Sequence, residues 1–239
     1  MIGNLSRKKG PLYLQIKSIL KDRILHGIYP IGNNIPSESQ LEVEFHVSKI
    51  TVRNAIKELV KDGYLKTKSG KGTKVIRNKS ISKLPKGKRF TEVLVEYGYK
   101  IRKQLVGAEV IFNQESTEEY QLFGDQCFQI ERLYYLDDVP YIYFKHYLTI
   151  KLMNIDLSDL STQSLYDLIE EQGFYLDNFR DQFTVTIAPS LVEKKLCLNK
   201  GTHLLKRLRC SYNEMGDVIE YSKGYYNTEI QDYVVKYDT

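Results

Sequence analysis

Apolar positions in the first eighty residues recur at intervals of three and four. Leu12, Ile16, Ile19, Leu20 and Ile24 make one helical stripe. Pro11 opens it, where a missing N–H costs nothing. Gly27 follows the last periodic residue, as a left-handed C-terminal cap requires. After a loop with Pro30 and Gly32, Ser37 begins a second helix, and Gln40 three residues on closes a capping box. Leu41 and Phe45 supply its buried face. Ser48 caps a third helix, whose Val52, Ala55, Ile56 and Leu59 face inward and which Gly63 ends. The pattern then shortens to two strands, 64–67 and 73–76, joined by the glycine-rich turn Ser69-Gly70-Lys71-Gly72.

Beyond residue 89, short helices and strands alternate, and the chain repeats itself weakly. Residues 118–147 and 193–225 each read as a short helix, a turn, a strand with an Arg-Leu pair, a polar hairpin turn and another strand. Arg132 is equivalent to Arg207 and Leu133 to Leu208; Asp137-Asp138 and residues 214–217 are the two hairpin turns. A helix over 164–172, ended by Gly173, lies between the repeats. Two helix-hairpin units sharing a sheet predict an antiparallel α+β domain. The basic stretch 78–88, with Pro85 and Gly87, reads as a linker. The expected organisation is therefore a domain over 1–77, a linker over 78–88 and a second domain over 89–239.

Charge separates the two halves. Residues 1–80 hold 16 Lys+Arg and 6 Asp+Glu, a net of +10; residues 81–239 hold 19 and 24, a net of −5, which together give +5. One basic end on an otherwise acidic chain points to a polyanion partner. Three helices followed by a hairpin tipped by Lys71 between two glycines make a winged helix-turn-helix. The third helix turns Lys49, Thr51, Arg53 and Asn54 away from its apolar stripe, and these side chains donate to phosphates and base edges. The candidate DNA contacts are Lys9, Ser37, Ser39, Ser48, Lys49, Thr51, Arg53, Asn54, Lys71 and Gly72.

Other classes find less support. No apolar run is long enough to span a bilayer, and no apolar core follows the basic N-terminus as in a secretory signal. Cys127, Cys197 and Cys210 are odd in number and well separated, so neither a disulfide framework nor a zinc site is indicated, and a cytoplasmic address is expected. The four histidines lack metal-ligand spacing, and His46 reads as a turn residue. No nucleophile elbow, P-loop or dinucleotide fingerprint suggests an enzyme or a cofactor. A purely architectural DNA binder would leave the second half without a role.

Residues 11–75 resemble the DNA-binding domain of the GntR family of regulators. The matching segments are PLYLQI, the G-x-Y-P-x-G loop at 27–32, PSE at 36–38, VS at 47–48, TVR at 51–53 and the wing SGKGT. Ser39 and Lys49 stand where arginine is usual in that family, and His46 where glycine is frequent. The rest resembles the UTRA ligand-sensing domain of the HutC-type branch, a chorismate-lyase-like fold. Its matching segments are RFTEVLVEYGY near residue 90, IERL at 130–133, SLYDLIEE at 164–171 and VIEYS at 218–222. The resemblance implies a homodimeric regulator, a repressor on a near-palindromic operator, controlled by a small metabolite such as a sugar phosphate. Carried over position by position, it implies a pocket of Arg89, Phe90, Arg132, Tyr134, Ser164, Tyr166, Glu220 and Ser222. Arg132 and Ser164, at a helix start, suit an anion, and Glu220 suits sugar hydroxyls. Tyr134 replaces the second arginine of a common Arg-x-Arg, and Phe144 replaces a common glutamate. The alternative for Arg132 and Glu220 is a structural ion pair on neighbouring strands.

Overall fold

The computed structural model describes residues 5, 10–78, 94–95, 97–161 and 163–234. The contacts divide the chain into two units, the first holding the described residues up to 78 together with 94–101, the second holding 102–234. Most of the stretch read as a linker lies outside the described residues. The segment 94–101, which the sequence reading placed in the second domain, packs with the first: Leu94 and Val95 are buried, and the Ile101 N–H donates to the His26 carbonyl at 3.1 Å.

In the first unit, α1 (Leu12–Leu25), α2 (Glu38–Phe45) and α3 (Lys49–Lys61) precede a hairpin of β1 (Leu65–Lys68) and β2 (Gly72–Val75). The apolar stripes of all three helices meet in one core, with Ile16, Leu20, Ile24, Leu41, Val52, Ala55 and Leu59 fully enclosed. Pro11 is the N-cap of α1, one position earlier than expected. The capping box of α2 is complete: the Gln40 N–H donates to Ser37 Oγ at 3.3 Å, and the Ser37 N–H to Gln40 Oε1 at 2.8 Å. His46 ends α2 in the left-handed region, with φ of 51°, which explains why glycine suits that position. The loop before α2 is less irregular than the sequence suggests. Its Gly32 and Ile35 N–H groups donate to the Val75 and Thr73 carbonyls, and Asn34 forms an isolated bridge to Lys74 beside the hairpin.

The second unit is a six-stranded sheet with two covered faces. Its strands are β3 (Ile101–Phe112), β4 (Gln126–Leu136), β5 (Val139–Leu148), β6 (Asn178–Ile187), β7 (His203–Tyr212) and β8 (Val218–Tyr226), in the order β3-β4-β5-β8-β7-β6. The helices are α4 (Glu118–Phe123), α5 (Leu165–Glu171) and α6 (Ser190–Leu196). The internal repeat is visible in this order. Strand, helix and hairpin β3-α4-β4-β5 are matched by β6-α6-β7-β8, and the innermost strands β5 and β8 pair antiparallel across a local two-fold. The β4–β5 turn takes Asp137 and Asp138 to φ of 46° and 68°, the signature of a tight type I′ hairpin. On one face Leu133, Tyr143 and Leu204 pack with Val192 and Leu196 of α6. On the other, Phe128, Ile130 and Leu148 pack with α5 and the segment leading to it.

Candidate functional site

On the first unit the expected DNA contacts share one exposed region. Ser37, Ser39, Ser48, Lys49, Arg53, Asn54, Lys71 and Gly72 are exposed and Thr51 is half-buried; Lys9 lies outside the described residues. Their positions follow from local chemistry. Ser48 accepts the Thr51 N–H at 3.3 Å and so fixes the first turn of α3. The side chains are already engaged with one another: Lys49 Nζ donates to Ser39 Oγ at 3.2 Å, and Arg53 grips Glu38 with Nη2 at 2.8 Å and Nε at 3.2 Å. That hydrogen bond draws the Glu38 carboxyl below its ordinary range. The fork aims the guanidinium outward from α3 while leaving it half-exposed.

Two residues of this surface were missed from sequence. Asn34 Nδ2 donates to the Lys71 carbonyl at 2.9 Å, pinning the wing. A Cβ on Gly72, whose φ is +91°, would stand 3.1 Å from that same Nδ2, so the close approach requires glycine. Ile50 is 67% exposed beside Lys49, an apolar group on an otherwise polar surface.

The second unit gathers its candidate residues on the sheet face under α5. Strand register decides which. The row Arg132–Phe144–Gly224–Arg207 crosses β4, β5, β8 and β7, and the next row is Ile130–His146–Ser222–Arg209. Arg132 is wholly buried, and its Nη2 donates to the backbone carbonyls of Leu160 and Gln163, the latter at 2.8 Å. This brings Arg132 to the segment just before Ser164, the residue that starts α5. Ser164 does not use its side chain to cap that helix. The Tyr166 hydroxyl accepts from Arg209 Nη1 at 3.3 Å, and its ring leans on Phe179. Tyr134 meets Phe144 edge-on, with centroids 5.3 Å apart. Arg89 and Phe90 lie outside the described residues.

Glu220 is not the ion-pair partner of Arg132. Strand β5 stands between their strands, and Glu220 is bound instead by His146 Nδ1 at 2.8 Å and by the Ser211 hydroxyl. A carboxylate can only accept, so Nδ1 carries the proton. Burial holds His146 below its usual range and therefore neutral. Burial works to raise Glu220, but the bonds from His146 and Ser211 and the charge of Arg209 outweigh it and keep the carboxyl ionised. His146, Ser211, Arg207 and Arg209 are the members of this face that the sequence reading did not select. The repeat carried the signal for Arg207, as the equivalent of Arg132.

Among the described residues, several buried polar atoms of this face have no hydrogen-bond partner: Nε and Nη1 of Arg132, Nε of Arg207, Nε2 of His146 and Oγ of Ser222. Buried groups of this kind are normally paired. Among the described residues no cluster of side chains could hold a metal, and no helix is long and apolar enough to cross a membrane.

Comparisons with known proteins match two segments of the chain, the second beginning within the stretch 94–101 that clusters with the first unit. Residues 12–75 match the model for bacterial regulatory proteins of the gntR family, and residues 96–231 match the UTRA domain. The chain is similar to the HTH-type transcriptional regulator YurK of Bacillus subtilis, with 31% identity over 68% of each chain. It is likewise similar to a probable fructoselysine utilization operon transcriptional repressor of Escherichia coli K12, with 30% identity over 67% of each. Among solved structures, PhnF from Mycobacterium smegmatis shares the fold at a TM-score of 0.54, covering 92% of this chain and 97% of that one at 23% identity. With three helices and a wing in one unit and a UTRA sheet in the other, the chain belongs to the GntR family of bacterial transcription regulators.

Proposed function

We propose that this protein is a homodimeric repressor that binds a near-palindromic operator and responds to an anionic metabolite held on the UTRA sheet face. The observation that carries the reading is Arg132: a wholly buried guanidinium with two unpartnered nitrogens and no acid within ion-pair distance among the described residues. A buried charge without a counterion is costly, and an anionic ligand offsets the cost. The name of the fructoselysine relative points to a sugar derivative, and a phosphorylated sugar supplies both an anion for Arg132 and hydroxyls for Ser222 and Glu220.

DNA is read by α3 and steadied by the wing. Arg53 leaves Glu38 or carries it to the base edge, while Lys49, Thr51 and Asn54 take the neighbouring contacts and Lys71 lies along the backbone. One reading helix per chain serves one half-site, so two copies are needed for a palindrome. The edge strand β6 suits the second copy. Its Phe183, Val185 and Ile187 are 45, 73 and 60% exposed on one side of a strand that pairs only with β7.

A mobility-shift assay on the protein's own promoter fragment tests the reading. Arg53→Ala weakens binding by about 1–3 kcal/mol, and Lys71→Ala weakens it more uniformly across sequences. Val185→Lys shifts the sedimentation profile to monomer. Undiminished binding by Arg53→Ala would remove α3 as the reading helix.

A further inference from the structure

The same sheet face holds a second buried cation, only partly compensated by a carboxylate that it shares, and this points to the chemical class of the effector. The inference rests on the anion reading above and extends it. Arg207, in the row of Arg132 and equivalent to it in the repeat, is buried. Its carboxylate neighbour, Asp181, stands 3.9 Å away and is already gripped by the fork of Arg209 at 2.7 and 2.6 Å. Arg207 Nη1 donates to the Tyr233 hydroxyl at 3.1 Å, and its Nε, the atom nearest Asp181, has no hydrogen-bond partner among the described residues. Glu220, the other buried acid of the face, is held by His146 and Ser211. Among the described residues, Arg207 therefore shares Asp181 with Arg209, which holds it more closely, and Arg132 has no carboxylate within ion-pair distance.

The two are separated. They lie on β4 and β7, three strand spacings apart, which at about 4.8 Å each places their backbones about 14 Å apart. Between them the Phe144 ring lies over Gly224, with the Arg207 guanidinium carbon 5.6 Å from the ring centre. Beside this ring are Ser222 Oγ and the lone pair of neutral His146 Nε2, both unpartnered and both suited to hydroxyls.

We propose that the effector is a hydroxylated molecule with two separated acidic groups, one bound by Arg132 and the other by Arg207, its middle lying against Phe144, His146 and Ser222. A single phosphate or a single carboxylate would leave one of the two buried guanidiniums without an anion in hydrogen-bond contact.

The test uses the full-length protein and three probes of one carbon skeleton: 6-phosphogluconate with two acidic ends, glucose 6-phosphate with one, and gluconate with the other. Binding is followed by calorimetric titration and by the thermal midpoint. We expect 6-phosphogluconate to bind at least roughly tenfold more tightly than either single-anion probe, a gap of about 1.4 kcal/mol. Arg207→Gln removes that gap while leaving glucose 6-phosphate binding unchanged, and Arg207→Lys, which keeps the charge, restores part of it. If glucose 6-phosphate and 6-phosphogluconate bind wild-type protein equally, the second subsite is refuted and the anion reading survives. If none of the three stabilises the protein, the anion reading itself falls, and this inference with it.

Discussion

Replacing Arg132 by Met separates a ligand-binding arginine from a structural one. The substitution removes a charge that is wholly buried and has no carboxylate partner, which relieves several kcal/mol of desolvation cost. It also strands the Leu160 and Gln163 carbonyls, at about 1–3 kcal/mol each. These terms are similar in size and opposite in sign. Met fills much of the same volume, so little cavity cost is added. Ligand-free Arg132→Met is therefore expected to melt within a few degrees of wild type, given roughly 2–4 °C per kcal/mol for a chain of this size. Had Arg132 been half of a buried ion pair, its loss would leave a stranded carboxylate and cost about 3–5 kcal/mol. Glu220 is not stranded, because His146 and Ser211 hold it. Effector binding behaves differently: losing hydrogen bonds to a charged group costs about 1.5–3 kcal/mol, or roughly ten- to a hundredfold in affinity. Calorimetry in phosphate-free buffer, with and without glucose 6-phosphate, reads both quantities. A large fall in the ligand-free midpoint together with an undiminished ligand-induced rise would show that Arg132 is structural.

Gly224→Ala places a Cβ 2.6 Å from Phe144 Cε1, between rings that cannot retreat, and should cost about 1–3 kcal/mol in chemical denaturation; Phe144→Leu in the same chain should recover most of it, and an additive double mutant would refute the clash. His46→Gly should stabilise by up to about 1 kcal/mol, by relieving the left-handed backbone at the end of α2, and an unchanged midpoint would count against strain there. Acid should weaken the second unit through His146 and Glu220. Both have depressed folded values, so the unfolded chain binds more protons. Stability is then full above the ordinary histidine range, falls as the pH drops through it, and falls again through the ordinary carboxylate range. His146→Gln should flatten the upper part of that profile, and a wild-type profile that rises toward pH 5 would reverse the assignment.

What could be read from sequence was local. The Ser37–Gln40 box, the Ser48 cap and the wing turn each depend on residues within a few positions of one another, and all three formed. The helix-hairpin repeat was legible because its two copies carry the same Arg-Leu pair at the same place. What could not be read was register across strands distant in sequence. His146 joins the ligand face because it stands opposite Ser222, and Arg132 is separated from Glu220 because β5 intervenes. Asn34 was invisible as a wing support for the same reason, its partner being 37 residues away. The packing of 94–101 with the first unit is a tertiary choice that composition does not record.

The repeat also explains why such a costly face exists. Two similar halves related by a local two-fold place equivalent arginines on the same side of one sheet, Arg132 in one and Arg207 in the other. The symmetry is broken at its axis, where the facing positions are Phe144 and Gly224 and the ring of one fills the space that a side chain at the other would need. That break gives the face a flat apolar floor between two cations, rather than a pair of like charges driven together. A sheet selected for stability alone would have replaced one arginine with an apolar residue or given each a carboxylate, since well-packed apolar groups commonly outperform buried charges. Instead, among the described residues, guanidinium, imidazole and hydroxyl atoms without hydrogen-bond partners remain within a few strand spacings of one another on this face. Local violations of packing rules in an otherwise consistent fold concentrate at functional sites, which is the reason this face is the one proposed to bind the effector.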